Sequence, residues 1–124
     1  MRTLAPCEYL GHALRRRHFS HLTVTLTTYR PGLVHPRHVH ERTTLFFSFA
    51  GQHRDETRRA SFDQPPLSVV YHPTTEPHAT NIGSGGLFGL NLELTEGWLE
   101  SHCHVRRRDL LSECHLLDSP AVRR

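Results

Sequence analysis

Gly32-Leu-Val-His35-Pro-Arg-His38-Val-His40-Glu41-Arg-Thr-Thr44-Leu45-Phe-Phe-Ser-Phe-Ala50-Gly51 is the stretch that decides how this chain is read. His38 and His40 stand two residues apart and lead into an apolar run over residues 45–50. Side chains of an extended strand alternate between its two faces, so these imidazoles aim at one point. A third histidine, His78, lies in a second polar, proline-containing segment at residues 71–81. Together they predict a pocket inside a β-barrel, with the rest of the chain as its walls.

Before that stretch, Leu22, Val24 and Leu26 alternate with Thr23, Thr25 and Thr27, the period-2 pattern of a half-buried strand. Residues 7–14 read as a short opening strand. Arg30-Pro31-Gly32 is a turn, and Leu33 and Val34 continue as a strand toward the histidine pair. Residues 43–50 read as a strand covered on both sides and ended by Gly51. Residues 52–62 read as an exposed returning strand, with Gly51-Gln52 in a hairpin turn.

Residues 63–66 hold Pro65-Pro66 and read as a loop, followed by a compact strand at 67–71. Residues 73–77 form a loop that delivers His78, and residues 83–86 form a flexible turn. Residues 87–94 are a strand with Phe88, Leu90, Leu92 and Leu94 on one side. Short strands punctuated by turns in this way indicate an all-β sandwich or barrel.

From Thr95 the period changes. Thr95 reads as the cap of a helix containing Trp98 and Leu99, and Leu110, Leu111, Leu116 and Leu117 as a second helical stretch. Ser119-Pro120 has the form of a fresh helix start, serine at the cap and proline at the first helical position. The expected organisation is a β-barrel domain over residues 1–97 and a helical extension over 98–124. A helix cut off as it begins suggests the front part of something longer.

A chain of 124 residues suits one domain with a core. The net charge is +3, and all fifteen basic residues are arginines, with bunches at 15–17, 106–108 and 123–124. No nucleic-acid recognition motif accompanies them, so they read as solvated faces. His102-Cys103-His104 and Cys114-His115 fit no common zinc spacing and read as scattered side chains. Three separated cysteines, and no leader or membrane-length segment, set the expectation of a reduced, cytoplasmic protein.

His38, His40 and His78 can coordinate a divalent metal such as zinc, iron, nickel or manganese through neutral imidazole nitrogens. A fourth ligand on that face falls near position 44 or 45, where Thr44 and Leu45 offer no anionic group, and strict alternation turns Glu41 away. Three readings stay open at this point: a metal at the three histidines, a metal-free pocket for a small molecule that also uses Thr44, or imidazoles satisfied by core hydrogen bonds. No carboxylate pairs with these histidines by spacing, so the chain is expected not to be an enzyme.

Gly32-x5-His38-x-His40-x3-Thr44-x6-Gly51 resembles the first motif of the cupin superfamily, with threonine where glutamate is usual. Pro73-x-Thr75-x2-His78-x2-Asn81 resembles the second, with threonine for glycine and asparagine one residue early. The resemblance implies a small antiparallel jelly-roll barrel, a cupin-like double-stranded β-helix.

The residues are also similar to the amino-terminal sensor domain of AraC-type transcriptional regulators. His38-Val-His40-Glu41-Arg42, Tyr71-His72-Pro73 with His78 five residues on, and Leu90-Asn-Leu-Glu-Leu94 followed by Trp98-Leu99 carry that similarity. Residues 117–124 resemble the start of such a protein's helical linker. This implies a ligand-sensing, homodimerising domain that acts on DNA only through a helix-turn-helix domain absent from this chain. The alternatives are a free-standing cupin binding protein and a metal-dependent cupin enzyme, a dioxygenase or isomerase.

Overall fold

The computed structural model describes residues 1–74, 76–95, 97 and 115–116. Among them the chain forms nine strands: β1 (Arg2–Leu4), β2 (His12–His18), β3 (Leu22–Tyr29), β4 (Val34–His40), β5 (Thr43–Thr57), β6 (Ser61–Gln64), β7 (Val69–His72), β8 (His78–Leu94) and β9 (His115–Leu116).

Two long antiparallel strands organise the sheet. β5 and β8 stay paired from Thr43↔Leu94 to Thr57↔His78, with register shifts between Ser48 and Ala50 and between Gly51 and His53. On one side of those shifts β3 flanks β8 and β7 flanks β5. On the other side β4 flanks β8 and β6 flanks β5. Bending two long strands at one place lays the halves of the sheet over each other, which is the jelly-roll barrel expected.

The bend corrects two expectations. Residues 51–52 are not a hairpin and residues 83–86 are not a turn; β5 and β8 run through both. Gly51 and Gly86 have φ of +93° and +77°, and a Cβ on Gly51 would collide with the Gly86 carbonyl oxygen. Glycines that read as turn residues are bulge residues where two backbones cross closely. The reversal lies farther on, at the β5–β6 hairpin around residues 58–60, where Thr57 N–H donates to the Ala60 carbonyl at 2.8 Å.

The amino-terminal residues also differ from expectation. Cys7 has a φ of +63° between β1 and β2, so the opening strand over 7–14 is replaced by two strands on either side of it. β2, with Arg15, Arg16 and Arg17, is exposed throughout, as a solvated basic segment. Leu116, read as helical, pairs with Val70 in a strand. The helix at Trp98 and Leu99, the remaining helical positions from Leu110 on, the Ser119-Pro120 start and Cys103 and Cys114 lie outside the described residues.

Alternation in β3 holds, but with the phase opposite to a simple apolar-inside strand. Thr23, Thr25 and Thr27 are buried, while Leu22, Val24 and Leu26 are half-buried. β8 repeats this, with Asn91 and Glu93 buried and Leu90 and Leu92 half-buried. Asn91 Nδ2 donates to Thr27 Oγ1 at 3.0 Å and to Tyr29 OH at 3.1 Å, so the polar side chains between β3 and β8 are hydrogen-bonded. A compact apolar core of Phe46, Val70, Ile82 and Leu87, with Tyr29, Leu33 and Phe62 against it, borders the polar chamber. Among the described residues there is no helix long and apolar enough to cross a membrane.

Candidate metal centre

His38 and His40 enter the barrel from β4 at the predicted period of two, and both are buried. His78 opens β8 directly across from His38 in the ladder. The ring centroids lie 4.3 Å apart for His38 and His78, and 5.3 Å for both His38–His40 and His40–His78. One ring nitrogen from each lies within 4.8 Å of the other two. Segments forty residues apart thus bring three imidazoles to one point.

The donor set suits a metal ion. His38 Nδ1 lies 2.8 Å from the Pro36 carbonyl, which can only accept, so the proton sits on Nδ1 and Nε2 keeps its lone pair. The Nδ1 atoms of His40 and His78 are buried without a hydrogen-bond partner. Such atoms are costly unless something binds them. Burial pushes His40 down to about 3 and His78 well below its ordinary range, and it lowers His38 against the raising effect of the Pro36 bond. All three are neutral at pH 7, the form that ligates metals. The centre can hold a divalent ion, with a coordination position left for another ligand.

Thr44 stands elsewhere. It is fully buried in the barrel wall, pairs across the ladder with His72 and Glu93, and donates its hydroxyl to the Arg42 carbonyl at 3.1 Å. It is not among the residues lining the chamber.

Sequence reasoning missed the carboxylate. Asp55, on β5 beyond the Gly51 bulge, is completely buried and lines the chamber. Thr80 Oγ1 donates to its Oδ1 at 2.6 Å, and Gln64 Nε2 donates to Oδ2. His72 Nε2 lies 3.3 Å and His53 Nε2 3.6 Å from the same Oδ2. Burial alone would raise the Asp55 carboxyl, but hydrogen bonding and charge from His53 and His72 outweigh it and hold it well below the usual carboxylate range. The alternation in Gln52-His53-Arg54-Asp55-Glu56, two site residues interleaved with three surface ones, was the available signal.

His72 lies flat against His78, with centroids 3.8 Å apart and planes 14° apart, and is parallel to His40 at 6.0 Å. The chamber measures about 40 Å³ and is roofed by Leu4, Tyr9 and Leu10 from the amino-terminal segment. That segment is tied down where both carboxylate oxygens of buried Glu93 accept the Cys7 N–H, at 2.9 and 3.0 Å. β1 adds parallel pairing along the two histidines, Arg2↔His38 through Leu4↔His40.

No protein-family model matches the chain, and no curated protein matches it in sequence. Solved structures do. The DMSP lyase DddQ from Ruegeria pomeroyi DSS-3 is 24% identical with a TM-score of 0.57, over 63% of this chain and 40% of that one. A cupin superfamily protein from Desulfitobacterium hafniense DCB-2 is 21% identical at 0.57, over 70% and 77%. The oxalate decarboxylase of Bacillus subtilis, described with Mn(II) centers, is 20% identical at 0.54, over 65% and 23%. The chain therefore spans well under half the length of either enzyme.

The expectation of a non-enzyme is corrected on two grounds. Enzymes stand among the structures this barrel is similar to, and the carboxylate whose lack supported that expectation is present as Asp55. The similarity at this level is one of fold: the chain folds as a cupin-type jelly roll around a three-histidine centre.

Proposed function

We propose that this chain is a metal-dependent cupin enzyme that works on a small molecule at His38, His40 and His78. The convergence of those three buried, neutral imidazoles, two of them with an unpaired Nδ1, carries the reading. A divalent ion bound there supplies Lewis-acid polarisation of a ligand oxygen.

The chain's own residues do the rest. The Pro36 carbonyl fixes the His38 tautomer, and Leu4, Tyr9 and Leu10 line the approach to the histidines. A chamber of about 40 Å³ takes an ion and a few water-sized groups, at roughly 10–15 Å³ each, so only the reacting end of a substrate fits. The lyase and the decarboxylase among the similar structures set the first reaction class to try, non-hydrolytic bond cleavage in a small carboxylate.

The test is elemental analysis of the purified and reconstituted chain, followed by turnover of a panel of small carboxylates by the loaded protein. About one ion per chain, with turnover that disappears on chelation, supports the proposal. No stoichiometric metal after reconstitution removes it. The AraC-type sensor reading, with its homodimer, its small-molecule effector and its DNA-binding partner domain, has the residue-level resemblance alone behind it and ranks second.

A further inference from the structure

The first cupin-like motif lacks its carboxylate at position 44, and the Thr44 hydroxyl is already committed to the Arg42 carbonyl. Of the residues lining the chamber, Asp55 is the one that carries a carboxylate. The other fully buried acid described, Glu93, is bound to the Cys7 N–H instead.

Asp55 reaches the centre along two routes that end at the same ligand. Through Oδ2 it receives His72 Nε2, and the His72 ring lies flat on His78 at 3.8 Å. Through Oδ1 it receives the Thr80 hydroxyl, two residues beyond His78 on the same face of β8. The β5–β8 register sets Asp55 opposite Thr80 and Thr57 opposite His78, so strand pairing fixes both routes.

We propose that Asp55 is the positioning residue of the centre, supplying from one residue layer away, through His72 and Thr80, the negative charge and orientation that position 44 does not. The proposal rests on the reading of the three histidines as metal ligands. Partners beyond the ligands orient ligating imidazoles and offset the charge of the ion; here Asp55 acts through His72 and Thr80 and touches no ligand directly.

Zinc and cobalt(II) affinities of the full chain, measured by competition with a chromophoric chelator, test it. Asp55→Asn preserves size and the acceptor for Thr80 but removes the charge. It should weaken binding by about 10- to 100-fold, leave the stoichiometry of the wild type, and shift the cobalt(II) d–d absorption. Thr80→Val keeps the charge, cuts one route, and should weaken binding by a smaller factor; it also serves if Asp55→Asn does not fold. Ser48→Ala, which removes a buried, hydrogen-bonded hydroxyl outside the chamber, should leave affinity and spectrum as in the wild type.

Wild-type affinity in both Asp55→Asn and Thr80→Val overturns the proposal and leaves the metal reading standing. An equal loss in Ser48→Ala also overturns it, because the effect is then general destabilisation. Failure of the wild-type chain to bind either ion overturns the metal reading and this proposal together.

Discussion

Two strips of the chamber wall treat their central polar side chains differently. The β4 wall, with the start of β8, presents imidazoles whose nitrogens are in part unpaired: His35 Nε2, His40 Nδ1 and His78 Nδ1. Across β8 in the same sheet, β5 presents Asp55, whose two oxygens are engaged by Thr80, Gln64 and His72 with His53 close by, while Nδ1 of that His53 has no partner. A saturated buried group holds structure, whereas an unsatisfied one calls for a ligand. On the proposed reading, this difference sets His40 and His78 as binding residues and Asp55 as a positioning residue.

The sharpest way to break this comparison is to truncate one residue on each wall. His40→Ala should abolish stoichiometric metal uptake, falling from about one ion per chain to a small fraction, while the metal-free protein keeps its stability within about 1 kcal/mol. Asp55→Ala should do the reverse in kind. It strands the partners of a buried charge and should destabilise the metal-free chain by about 3–5 kcal/mol. Denaturant melts with and without a chelator measure both. A metal-free chain that tolerates Asp55→Ala as easily as His40→Ala would erase the distinction between the walls.

Acid should act on the β4 wall first. Burial, with the neighbouring His38 charge adding to it, pushes His35 down to about 4 from an ordinary value of 6.5. Its folded value lies below its unfolded one, so between pH 6.5 and about 4 the unfolded chain takes up a proton that the folded chain refuses. Stability of the metal-free protein should therefore fall across that window as pH is lowered, and be flat above it. The buried His38, His40 and His78 carry the same sign. Asp55, also depressed, keeps its contribution until pH falls below the ordinary carboxylate range. Melts from pH 7 to 3 should show the decline beginning near the histidine range; a decline confined below pH 4 would assign acid sensitivity to the carboxylate wall instead.

The β4 wall was readable from the sequence and the β5 wall was not, for a physical reason. His38 and His40 sit in a short strand with a regular period, and His78 follows a proline loop, so local spacing carries their placement. Asp55 lies beyond Gly51, and a glycine after an apolar strand has the same composition in a hairpin as in a bulge. Only the long-range pairing with β8, where Gly86 meets Gly51, decides that β5 continues inward. Gly51→Ala tests that hinge. Its left-handed φ and the collision with the Gly86 carbonyl should cost about 1–3 kcal/mol and loosen Asp55 along with it, whereas a surface turn would relax.

The phase of β3 shows the same limit at a smaller scale. Alternation gives the period of a strand but not which face is inside, and here the threonines point in because Asn91 and Tyr29 meet them. Two substitutions decide the matter in one denaturation series. With Leu26 half-buried on the outer face, Leu26→Ala should cost about 1 kcal/mol, well short of the 2–5 kcal/mol of a core leucine. Thr27→Val keeps the shape but removes the acceptor for Asn91 and the donor to the Thr25 carbonyl, and should cost a similar amount, about 1 kcal/mol. A Leu26→Ala loss above about 3 kcal/mol, with Thr27→Val neutral, would turn the strand over. The chamber would then be apolar on that side, and Asn91 would have no place facing the histidines.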